Sequence, residues 1–180
     1  MGEIRLAWWR EGIEALGADA SRSPVLDALA PGVLAGRISR EGLIGLVEAR
    51  NAELEPFADE PALVRFIDAS QGGLMAQAAR ALDPDAKWEQ ATAAARAYAF
   101  ARMPERWAPL SWNDTAPAEV TSHLRARIWE TLRTANNALA DLPTAAFPAV
   151  AHATLARTRR DASGLEQRFR LLWAVVRGRV

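Results

Sequence analysis

Apolar side chains recur at spacings of three and four along nearly the whole of this chain, as in Ile4, Trp8, Trp9, Ile13 and Leu16. That is the period of an α-helix, and nowhere do Val and Ile alternate with polar residues long enough to make a strand. The abundance of Ala, Leu, Arg and Glu, all good helix formers, agrees with the period. The 180 residues therefore read as one all-α domain, 1–180, long enough for a sizeable core.

Local punctuation divides the chain into eight helices. The first, 2–17, ends near Gly17, and the second, 24–35, starts at Pro24, a favoured first-turn residue. Ser39 caps the third, 40–55, with Leu43, Leu46, Val47 and Leu54 inward, and Pro56 breaks it. Asp59 caps the fourth, which runs to Leu82 with Leu63, Phe66, Ile67, Leu74 and Met75 inward. The adjacent glycines of its SQGGLM stretch each cost roughly 1 kcal/mol relative to Ala, so they mark close helix packing or room for a ligand. A fifth helix covers 84–103, followed by the Pro- and Trp-rich MPERWAPLSWND. The sixth, 116–140, places Val120, Leu124, Ile128, Leu132 and Leu139 inward, and a seventh ends near Arg157. The eighth, 161–177, carries Leu165, Phe169, Leu172, Trp173 and Val176. No self-similar period of solenoid length interrupts this, so the helices form a compact bundle.

Composition excludes several functions. The net charge is zero, against a general nucleic-acid binder. Without cysteine there is no thiolate nucleophile, disulfide framework or cysteine metal site. No apolar run has the length of a membrane span, and no basic-then-apolar leader is present, so the expected location is cytoplasmic. Charge is uneven, however: residues 1–60 have a balance of −5, and residues 151–180 a balance of +5. These are two solvated faces, or a basic terminal helix that touches an anionic lipid surface or an acidic partner.

Catalytic signatures are scarce. No phosphate loop, dinucleotide fingerprint or Ser–His motif occurs, and His123 and His152 lie on different expected helices. The pair Asp85 and Glu89 fits a helix first turn, where acids favour the dipole. Glu41, Glu48 and Asn51 read as a charged helix face. Trp8 and Trp9 point about 100° apart on their helix, a wide apolar front that makes them interface candidates for a homodimer or another protein partner.

The order of motifs resembles the squalene/phytoene synthase family. GEIRLAWWREGIEAL is similar to the helix that follows the family's first aspartate-rich motif; SPVLDALA and LIGLVEARNAELE come next. LVRFIDASQGGLMAQAARAL is similar to the small-residue helix lining the prenyl pocket, and ARAYAFARMP stands where the second aspartate-rich helix is expected. FPAVAHATLAR and FRLLWAVVRGR fit the closing helices. The resemblance implies an all-α helical bundle of the isoprenoid-synthase type. It implies an N-terminally truncated one, since Met1 falls just after the region of the first motif. It also implies an isoprenoid or lipid pocket at Phe66, Ser70, Gln71, Gly73, Leu74 and Met75, with Tyr98 facing it.

In active relatives two D-x-x-x-D motifs hold Mg²⁺ against a diphosphate, and no D-x-x-x-D occurs in this sequence. Ala99, Arg102, Glu105, Arg106 and Leu110 stand near the second motif's positions. Arg102 and Arg106 are phosphate-contact candidates, because Arg binds phosphate without metal but cannot ligate Mg²⁺. The expectation is therefore no catalytic residue, no metal and no cofactor. WWRE, EAR and SQGGL look closer to the family's non-catalytic branch, which includes a complex I assembly factor. The expected role is an isoprenoid- or lipid-binding or assembly scaffold, cytoplasmic or peripheral to the inner membrane. The alternatives are a Mg²⁺-dependent prenyl-diphosphate transferase completed by a missing N-terminal segment or a partner, and a structural fragment from a mis-assigned start.

Overall fold

The computed structural model describes residues 2–17, 23–54, 57–87, 89–102, 117–158 and 162–180. Among them are nine α-helices and no β-strand. They are α1 Gly2–Glu14, α2 Pro24–Leu34, α3 Arg40–Ala49, α4 Glu60–Ile67, α5 Gly73–Leu82, α6 Glu89–Arg102, α7 Pro117–Ala126, α8 Ile128–Ala138 and α9 Gly164–Arg177. Caps stand where the sequence places them. Ser39 Oγ accepts from Gly42 N at 3.0 Å, and Asp59 Oδ1 accepts from Ala62 N at 2.7 Å.

Helix α6 is the axis of the fold. Ala91, Ala94, Ala95, Ala97, Ala99, Phe100 and Ala101 are all buried, so the helix is covered on nearly every side. Alanine keeps neighbouring backbones close. Helices α4, α5, α7 and α8 and a 3-10 helix, Ala151–Arg157, pack on it. A central cluster joins Met75, Ala79, Leu132, Leu139, Phe147 and Val150 to Ala91, Ala94, Ala95 and Ala97. A second, at the other end of α6, gathers Phe57, Leu63, Phe66, Ile67, Phe100 and Leu124. Helices α1–α3 form a third around Ile13, Leu16, Leu26 and Leu43.

Several expected helices are interrupted, each for a local reason. The third stops at Ala49 and tightens into a 3-10 helix, Arg50–Leu54, which stacks Arg50 on Glu53 at 2.9 Å three residues on. The fourth contains a π turn, Asp68–Gly72, in which Ser70 Oγ donates to Phe66 O at 2.7 Å. A π turn adds one residue, so the buried positions run Phe66, Ser70, Met75 and not Phe66, Ser70, Leu74. Leu74 is consequently 54% exposed, a correction to its inward assignment. The sixth breaks at Arg127, whose N–H turns to Leu124 O at 3.2 Å while its carbonyl accepts from the Thr131 hydroxyl. The seventh is two 3-10 helices, Phe147–Ala149, which contains Pro148, and Ala151–Arg157. Two further residues depart from their expected places: Ile4, given to the apolar face of the first helix, and Leu54, given inward, are both exposed. Leu165, Phe169, Leu172, Trp173 and Val176 of the last helix are exposed as well.

Candidate functional site

Where the π turn faces α6, Asp68 meets Arg96 side-on. Arg96 Nε donates to Asp68 Oδ1 at 2.6 Å and Nη2 to Oδ2 at 2.5 Å, the fork-to-fork geometry of guanidinium and carboxylate. The hydrogen bond that Arg96 donates to Asp68 holds the Arg96 pKa above its ordinary value, against the opposing effect of burial. Both oxygens of Asp68 are thus engaged by a cation already. Further along α6, Tyr98 is half-buried with its ring edge-on to His152, centroids 4.8 Å apart. Burial pushes the His152 pKa down, and a hydrogen bond to the Ala149 backbone opposes this.

The residues expected to line a pocket separate onto different surfaces. Phe66 enters one apolar cluster and Met75 another, Ser70 is buried against Phe66 O, and Leu74 faces solvent. Gln71 and Gly73 are half-buried. Gly73 serves close packing: a Cβ there would stand 3.0 Å from Leu46 Cδ2, so the space beside it is filled by α3. Arg102 Nη1 lies 3.5 Å from Thr158 O, tying α6 to the end of the 3-10 helix Ala151–Arg157. Arg106, Glu105 and Leu110 lie outside the described residues, as does the whole of MPERWAPLSWND.

Trp8 and Trp9 are both half-buried and meet edge to face, centroids 5.0 Å apart. Trp9 does double duty. It packs on the α1–α3 cluster and also lines a groove of about 460 Å³. Leu6, Leu46, Val47 and Leu54 give that groove apolar walls, and Arg5, Arg50 and Glu53 give it polar ones. Concave, mostly apolar surfaces with a few charged groups are what small amphiphiles use. The periodicity points Leu54 inward; only the 3-10 turn at Arg50–Leu54 brings it to this rim.

Two further arrangements bring together residues far apart in the chain. His123 Nε2 lies 2.5 Å from Glu60 Oε2, and Arg127 pairs with the same carboxylate, joining α7 and the α7–α8 break to α4. A larger groove of about 1170 Å³ runs between α8 and α9. Five arginines line it, Arg133, Arg157, Arg170, Arg177 and Arg179, with no Asp or Glu side chain among its lining residues. The +5 balance of residues 151–180 is the sequence signal that anticipates it.

Magnesium, which the family resemblance brings into question, does not suit the described donor set. It needs oxygen ligands. Among the described residues no three Asp, Glu or His side chains group as a metal site, Ala99 is buried apolar surface, and Asp68 is occupied by Arg96. Neither the curated proteins nor the solved structures compared with the chain give a match. The family model for squalene/phytoene synthase matches residues 1–103, the part that contains α1 to α6, and the all-α architecture agrees with it. On that match, over more than half of its length, the chain belongs to the squalene/phytoene synthase family.

Proposed function

We propose that this squalene/phytoene synthase-family chain is a non-catalytic scaffold that binds an isoprenoid or similar lipid and a protein partner. The observation that carries the reading is the Asp68–Arg96 pair. Metal-dependent loss of diphosphate needs carboxylates free to hold Mg²⁺ against the departing charge. Here the carboxylate facing the axial helix is neutralised by a guanidinium at 2.5 and 2.6 Å. The Trp9 groove supports the ligand half of the proposal, with apolar walls for a prenyl chain and Arg5 and Arg50 for an anionic head. Ile4, 74% exposed, and half-buried Trp8 lie four residues apart on one side of α1, and they support a contact with a partner or a second copy. The WWRE, EAR and SQGGL stretches support a place beside the non-catalytic, assembly-factor members. No described helix is long and apolar enough to cross a membrane, which agrees with the proposed cytoplasmic or peripheral location.

The test is incubation of the purified chain with Mg²⁺ and farnesyl or geranylgeranyl diphosphate, followed for diphosphate release and for Trp fluorescence. The expected result is quenching that saturates and is weakened by Trp9→Phe, without release above a boiled control. Sustained release would overturn the reading in favour of a prenyltransferase, and the absence of any saturable quenching would remove its lipid-binding half.

A further inference from the structure

Helix α9 has two apolar faces. Its inner face is narrow: buried Ala174 with half-buried Leu171 and Val175, packed toward the 3-10 helix Ala151–Arg157. Its outer face is the larger. Leu165, Phe169, Leu172, Trp173 and Val176 are between 48% and 79% exposed. At about 100° per residue all five fall within one sector, so they make a continuous ridge along about 20 Å of helix. A soluble helix normally shows solvent its polar face; this one shows it a second hydrophobic stripe.

The ridge is bordered by cations. Arg168 stands on one side, and Arg177 on the other, with its guanidinium 4.5 Å from the Trp173 ring centroid. Arg179 follows at the helix end. Glu166, the acid of the helix, is already paired with Arg170 at 3.0 Å. Phe169 and Trp173 stack at 6.4 Å, and Trp129 of α8 is exposed on the adjoining arginine-lined groove. Apolar and aromatic side chains flanked by arginines are the composition of a helix that lies in a lipid interface. A symmetric contact with a second copy through this ridge would bring arginine borders against arginine borders, which opposes it.

We propose that the outer face of α9 docks on an anionic lipid surface. Phe169, Leu172, Trp173 and Val176 enter the acyl boundary, and Arg168, Arg177 and Arg179 contact headgroup phosphates. The helix lies parallel to the surface and does not cross it. The surface is separate from the Trp9 groove, so it stands or falls independently of the ligand reading.

Vesicle flotation of the full chain tests it, comparing phosphatidylcholine alone with phosphatidylcholine containing roughly one-third phosphatidylglycerol. Expected is binding about tenfold or more tighter to the anionic vesicles, lost in about 0.5 M salt as headgroup charges are screened. Phe169→Ser with Leu172→Ser should abolish it, and Arg168→Gln with Arg177→Gln should weaken it about tenfold. Since these side chains face solvent, circular dichroism and melting should be unchanged; Leu172→Met, which keeps the apolar character, should retain binding. Equal or absent binding to both vesicle types would overturn the proposal. So would anionic binding that survives the paired serine substitutions in a folded variant. A dimer in solution that the same substitutions dissociate, without vesicle binding, would assign the ridge to a second copy and overturn it likewise.

Discussion

His152 shows how one side chain records its packing. Its ring is held against Tyr98, and burial depresses its pKa below the ordinary histidine value. The folded state therefore favours neutral imidazole more than the unfolded chain does. Its stabilising contribution is complete above the unfolded value of about 6.5 and is lost as pH falls from there through the lower folded value. Between about pH 7.5 and 5 the wild type should lose more melting temperature than His152→Gln, which has nothing to protonate at that site. Parallel melts of the two proteins check this, and equal losses would show that the ring is not confined in this way. Asp68 and Arg96 belong to the same scale. Each still reaches solvent, so the pair's importance lies in removing a carboxylate from metal chemistry more than in stability.

Between elements, glycine sets how close the helices approach. A Cβ on Gly12 of α1 would stand 2.6 Å from Leu26 Cδ1, and Leu26 is almost fully buried in α2. On the other side of the N-terminal group, Gly73 of α5 receives Leu46 of α3. Replacing Gly12 by Leu overpacks a filled contact and should cost about 1–3 kcal/mol, or roughly 2–12 °C in melting temperature. Gly73→Leu should cost less within the same range, since half-buried Leu46 can turn toward the Trp9 groove. Thermal unfolding by circular dichroism measures both. A Gly12→Leu variant as stable as the wild type would mean that α1 and α2 are not held at this distance.

At the scale of the whole molecule, the three apolar clusters of the described residues leave the Ile4–Trp8 side of α1 and the outer ridge of α9 uncovered. If α1 is a partner surface between copies, sedimentation should show a dimer that Trp8→Ala dissociates. Trp9→Ala should also lower stability, because Trp9 packs on the α1–α3 cluster as well. A wild type that sediments as a monomer across the accessible concentrations would remove the homodimer. A dimer untouched by Trp8→Ala would move the interface elsewhere.

Helical period, caps and class were determined by the sequence alone, because each depends on neighbours within about four residues. The apolar spacing along α1, Ser39 before α3 and Asp59 before α4 carry their own instructions. Family membership was legible too, in the order of GEIRLAWWREGIEAL, LIGLVEARNAELE and LVRFIDASQGGLMAQAARAL. What only tertiary structure decided is which face of a helix is covered and where a helix is interrupted. The π turn at Asp68–Gly72 moves burial from Leu74 to Met75, and no spacing rule anticipates an inserted residue. The pairing of Asp68 with Arg96 joins residues 28 positions apart. Along α9, apolar residues occupy two sides, and their period cannot tell the stripe that meets the core from the one that meets solvent. Burial depends on what other helices bring to that place, and a chain read one helix at a time holds no record of its neighbours.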